Sequence, residues 1–179
     1  ALNLPINIAA IQKIEILYGP GARAHGANAF SGVINIISQP QKENSLTFST
    51  DFGGYNYLNN RLMLQTSFKN IHQQLSYLHK SSDGYMNNTD FRTQNLFYQT
   101  NIDFKPIEID FLYGATSKKF GAFNYYHPWS ETQYEEIATN FINIGAKYGN
   151  VVKHSSKIGY RQHKDKYEFY RIDDAYYSK

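Results

Sequence analysis

The chain has no cysteine among its 179 residues. Disulfide frameworks, thiolate nucleophiles and cysteine-ligated metals are therefore excluded. Charge is sparse as well: Asp, Glu, Lys and Arg make up 18% of the chain, below the usual quarter or so. The net charge is only +3, and the Lys and Arg residues are scattered rather than gathered into a stripe, which removes the case for a nucleic-acid surface. No run of about 18 apolar residues occurs. Together with a mean hydropathy of −0.56, this argues against helical membrane spans. It leaves a membrane β-barrel open, because lumen-facing residues dilute the hydropathy of barrel strands.

What the chain does have is aromatic residues, 16 Tyr and 12 Phe, and a change of pattern along its length. Residues 14–38 read IEILYGPGARAHGANAFSGVINIIS. Two β-rich apolar runs, 14–18 and 33–37, flank a small-residue segment with glycines at 19, 21, 26 and 32. The second run is apolar on both faces, the pattern of a strand central in its sheet. The polar stretch 39–45 is a natural boundary. It suggests a small globular segment over 1–40 and a different architecture over 41–179.

From Leu46 onward the period is two. Leu46, Phe48, Thr50 and Phe52 share one face; Ile107, Ile109, Phe111, Tyr113 and Ala115 share another. Similar alternation marks 61–68, with Met63 an exception, and 71–80, 96–104, 138–148 and 151–160. That gives about seven strands, of a length that crosses a bilayer on a tilt. The connections alternate: tight turns at 69–70, 105–106 and 149–150, longer loops at 53–58, 82–92, 118–137 and from His163. Short turns at one end and long loops at the other is the outer-membrane barrel arrangement. A soluble all-β binding module also fits the alternation and stays open at this point.

Catalytic readings find little footing. The run GPGARAHG lacks the Gly-Lys-Ser/Thr ending of a phosphate loop. The six histidines show no HxH or HxxxH spacing for zinc, and no nucleophile–base set is visible.

The segment 14–37 resembles the C-terminal part of the plug domain of TonB-dependent outer-membrane receptors. The resemblance rests on Gly19-Pro20, Gly26, Ala29 and the run from Gly32 through Asn35 to Ile37. It implies an all-β fold: the tail of a plug over 1–40 and the first strands of a transmembrane antiparallel β-barrel over 41–179. It also implies a bacterial outer-membrane location, energy-coupled uptake of a large scarce nutrient, and the TonB complex as partner through a region not in this chain. The chain is accordingly expected to be a piece of a longer protein. One departure stands out: Tyr18 occupies a place where the family often has Arg, and tyrosine cannot form the ion pair that pins plug to wall.

Loop segments around 82–91, 119–136 and 161–167 resemble the cobalamin-receptor-like group of Bacteroidetes. In the second of these, Phe123, Tyr125, Tyr126 and Trp129 offer flat apolar surface for a large ligand. Asp83 and Asp90 lie in an oxygen-rich loop and are the candidate ligands for calcium; no other cofactor is implied. Asp51, Gln65, Gln99, Asn101, Asp103, Glu108 and Asp110 are the expected lumen-facing set, and Phe52, Phe68, Phe104 and Tyr148 the expected interfacial aromatics. A partial barrel has two unpaired edges, so the isolated chain is expected to self-associate.

Overall fold

Alternating strands joined by tight turns can satisfy their backbone groups only by pairing with their sequence neighbours, and the chain does this throughout. The computed structural model describes residues 6, 8–20, 29–40, 42–149, 152 and 154–171. Among them are two antiparallel sheets. The smaller is a pair, β1 (Lys13–Tyr18) and β2 (Gly32–Ile37), in the register Tyr18↔Gly32 through Lys13↔Ile37. A 3-10 turn, Ile8–Ala10, precedes it. Among the described residues β2 pairs on one side only, with β1. Gly26 and Asn150 lie outside the described residues.

The larger sheet has seven strands in sequence order. They are β3 (Ser45–Gly53), β4 (Tyr57–Phe68), β5 (Ile71–Ser82), β6 (Phe91–Phe104), β7 (Ile107–Gly121), β8 (Tyr134–Tyr148) and β9 (His154–Glu168). The chain is thus all-β, a partial antiparallel barrel wall. Two-residue turns at 69–70 and 105–106 connect β4 to β5 and β6 to β7. Lys69 takes a left-handed φ of 52°, the conformation of the first central residue in a primed hairpin turn.

At the other end the loops differ from the expected bounds. The first shrinks to the turn 54–56, with Tyr55 and Asn56 at φ 56° and 53°. The other two cover 83–90 and 122–133. β9 continues to Glu168, where a loop from His163 was expected, and begins at His154 rather than Val151.

The register sorts the two faces. One carries row upon row of apolar side chains: Phe68, Ile71, Ile102 and Ile109, then Leu64, Leu75, Tyr98, Tyr113 and Ile142. Large hydrophobics on this face are exposed, among them Phe48, Leu64, Ile109, Ile144 and Ile158. The opposite face carries Asp51, Gln65, Gln99, Asn101, Asp103, Glu108 and Asp110, all on the same side as read from the pairing. It is also the side on which the residues after β2 lie, since the Gln99 side-chain amide donates to the Ser38 carbonyl at 3.0 Å.

Candidate functional site

Two places bring polar and aromatic groups together: the contact between the β1–β2 hairpin and the wall, and the cap of loops at the far end of the strands.

The hairpin is tight where it closes. Gly19 has φ +91°, a left-handed conformation suited to glycine, and its N–H donates to the Ser31 carbonyl at 3.1 Å. At Gly32 a Cβ would lie 2.8 Å from the Leu17 carbonyl oxygen, so this position requires the missing side chain. Asn35 donates to Glu15 Oε2 at 3.1 Å, and Lys13 pairs with Glu15 at 2.6 Å. Those two bonds, Lys13 first, hold the Glu15 carboxyl below the usual carboxylate range. Pro20 is exposed beside the turn.

Against the wall the hairpin meets two kinds of surface. A ladder of amides crosses two strands to reach it: Gln74 of β5 donates to Gln99 of β6 at 2.9 Å, and Gln99 donates to the Ser38 carbonyl. Beside the ladder is an apolar patch that the sequence pattern did not show. Met63, Phe97 and Phe141 share one register row of the polar face. Phe97 is fully buried. Phe97, Leu112 and Phe141 line a space with Ile6, Ile34 and Ile36. Met63, an exception to the alternation of β4, therefore belongs to a second apolar surface. Cavities of about 650 and 330 Å³ flank the contact, so among the described residues hairpin and wall are not close-packed in the manner of a protein interior.

The loop cap is built around side chains absent from the expected site. Gln133 is fully buried. It accepts from the Tyr126 N–H at 3.1 Å and donates to the His127 carbonyl at 3.2 Å, folding the 122–133 loop on itself. Asn88, at φ 55°, donates to the carbonyls of Glu131 and Gln133 at 2.8 and 2.7 Å, joining the 83–90 loop to the 122–133 loop. Gly121 lies so close to the Asn88 carbonyl that a Cβ would meet it at 2.4 Å.

The four expected ligand-facing aromatics divide. Phe123 is half-buried, and its N–H donates to the Asn88 carbonyl. Tyr125, Tyr126 and Trp129 are exposed, Trp129 at 92% and with φ 73°. Tyr126 makes edge contacts with Tyr125 at 4.7 Å and with Tyr167 of β9 at 5.4 Å, an arrangement aromatic rings favour. Tyr167, His127 and Phe169 thus extend the aromatic surface beyond the set the sequence suggested.

Asp83 and Asp90 both line one cavity, but each has its own partner. Asp83 accepts from Asn56 at 2.5 Å. Asp90 accepts from Arg171 at 2.5 and 3.0 Å. Among the described residues no group of three or more His, Asp or Glu is placed to hold a metal ion.

No protein-family profile matches the sequence. In fold the chain is similar to the siderophore receptor PiuA from Acinetobacter baumannii, with a TM-score of 0.73 at 16% identity. The likeness covers 88% of this chain and 27% of the receptor, so the chain spans about a quarter of the length of the solved structure it matches.

Proposed function

We propose that the chain is part of a TonB-dependent outer-membrane receptor, with residues 1–40 the tail of its plug and 41–179 the first strands of its barrel wall. The observation that carries this reading is the sidedness of the seven-stranded sheet. Apolar rows cover one face, and the opposite polar face receives a short hairpin that bears the plug motif. From Ile107 to Ala115 the apolar stripe on β7 runs roughly 27 Å at about 3.4 Å per residue. Tilted by about 40°, it gives a belt about 21 Å high, close to the roughly 25 Å band of outer-membrane barrels. Phe68, Phe104 and Tyr148 lie at the turn end of that belt and Phe52 at the loop end, as two aromatic girdles would. A soluble module would have to leave this apolar face in water, far more exposed patch than soluble monomers carry.

The nutrient is a large ligand held by the aromatic surface of Tyr125, Tyr126, Trp129 and Tyr167. A ferric siderophore is the first class to test, supported by the fold likeness to a siderophore receptor; cobalamin is the second, supported by the loop resemblance. The test is a fluorescence titration of the full-length receptor in detergent with both classes, repeated on Tyr126→Ala. Saturable binding of one class, weakened about tenfold or more by the substitution, is the expected result. Failure of both classes to bind would overturn the uptake reading.

A further inference from the structure

We infer that Arg171 is a built-in cation that clasps the loop cap, fastening the 83–90 loop, the 122–133 loop and the end of β9 into one unit without a metal ion. The inference deepens the receptor reading, and only its ligand arm rests on that reading.

The guanidinium contacts a carboxylate, an amide oxygen and an aromatic ring. Nη1 and Nη2 donate to the two Asp90 oxygens at 2.5 and 3.0 Å, and Nη1 also donates to Asn88 Oδ1 at 3.2 Å. Its Cζ lies over the Tyr134 ring, 4.5 Å from the centroid. The Arg171 backbone N–H donates to the Thr132 carbonyl at 2.8 Å, and the Thr132 hydroxyl donates to the Phe169 carbonyl at 3.0 Å. One residue thereby ties down both loops and the chain after β9. A bidentate fork onto a carboxylate is specific to arginine; a lysine would supply the charge over the ring but not the second bond.

The surroundings explain why a cation is wanted here. Asp83, Asp90 and Glu131 line one cavity, with Asn87 and Asn88 beside them, and Arg171 is the one basic side chain among the described residues lining it. An oxygen-rich loop of this kind is where calcium would be sought. Arg171 instead takes both oxygens of Asp90. The same clasp holds the end of β9, and with it Tyr167 and Phe169, beside Tyr126 and His127, so the aromatic surface is preorganised before any ligand arrives.

The test is amide hydrogen exchange on the full-length receptor, with and without EDTA, for the wild type, Arg171→Ala, Arg171→Lys and Asp90→Asn. In the wild type, protection of 83–90 and 122–133 should be indifferent to EDTA. Both loops should exchange at least about tenfold faster in Arg171→Ala and in Asp90→Asn, while β4 and β5 keep their protection. Arg171→Lys should remain loose, because charge alone does not rebuild the fork. EDTA-sensitive loops in the wild type, or full protection in Arg171→Lys, would overturn the clasp. The two readings fail separately. Loosened loops in a receptor that binds neither ligand class uphold the clasp and sink the receptor reading. Ligand binding with unchanged exchange in Arg171→Ala does the reverse.

Discussion

Single residues in this protein matter most where backbone segments touch. At Gly121 the nearest obstacle to a Cβ is the Asn88 carbonyl, which is fixed by the loop it belongs to. Gly121→Ala should therefore cost about 1–3 kcal/mol, the usual range for overpacking, read as a lower melting temperature of the purified full-length protein. A melting temperature equal to the wild type would refute the close approach. Glu15 offers a pH-dependent counterpart. Its folded pKa is depressed by Lys13 and Asn35, so its contribution is present above the unfolded carboxylate value. It is lost as pH falls through the folded one. Protection factors in 13–18 and 32–37, referred to the intrinsic exchange rate at each pH, should then fall below about pH 4, and Glu15→Gln should remove that dependence. None of these hub residues announced itself in the sequence. Gln133, Asn88 and Arg171 are polar residues in or beside loops, where no periodicity separates a buried keystone from a solvated side chain.

At the scale of elements, the strand faces decide stability. Phe111 lies midway along the apolar stripe of β7. Phe111→Arg should cost roughly 2–4 kcal/mol, as for a charge at the bilayer midplane, while Asn143→Arg on the polar face of β8 should be tolerated. Refolding titrations into lipid vesicles would measure both, and equal costs would contradict the assignment of faces. The hairpin contact has its own test. Phe97→Ala removes the buried ring that faces Ile34 and Ile36, and should raise exchange in β1 and β2 while the neighbouring strands stay protected.

The seven strands were legible because alternation is strong wherever one face is apolar and the other polar. The ends were not. β7 runs on to Gly121 through Lys118 and Lys119, and β9 runs to Glu168 through a charged stretch. Beyond the apolar belt both faces are polar, so the period-two contrast vanishes while the pairing continues. Phe97, Leu112 and Phe141 broke the pattern for a different reason: the polar face carries an apolar patch where the hairpin meets it. The aromatic loop was visible as composition, but its partners Tyr167, in β9, and Phe169, just after it, lie far away in sequence.

For the whole molecule, the sheet leaves β3 and β9 as edge strands among the described residues. In a complete barrel these edges would pair with further strands; in the isolated chain they expose rows of backbone donors and acceptors. Light scattering on the isolated chain in detergent should show association that grows with concentration, and a monodisperse monomer at high concentration would count against it.

The central claim is that one face of this sheet meets lipid and the other a polar lumen. These 179 residues contain no cysteine, so only native thiols elsewhere in the full-length protein need be replaced by serine before the measurement. Single cysteines are placed at Tyr98, Phe111 and Ile144 on one face, and at Gln99, Asn101 and Asn143 on the other, in the full-length protein in membranes isolated from its native cells. Each is then exposed to a lipid-soluble and a water-soluble maleimide. The account predicts that the first three react with the lipid-soluble reagent alone, and that the second three are never labelled from the lipid. Water-soluble labelling of the first set as fast as of an exposed loop cysteine would contradict it.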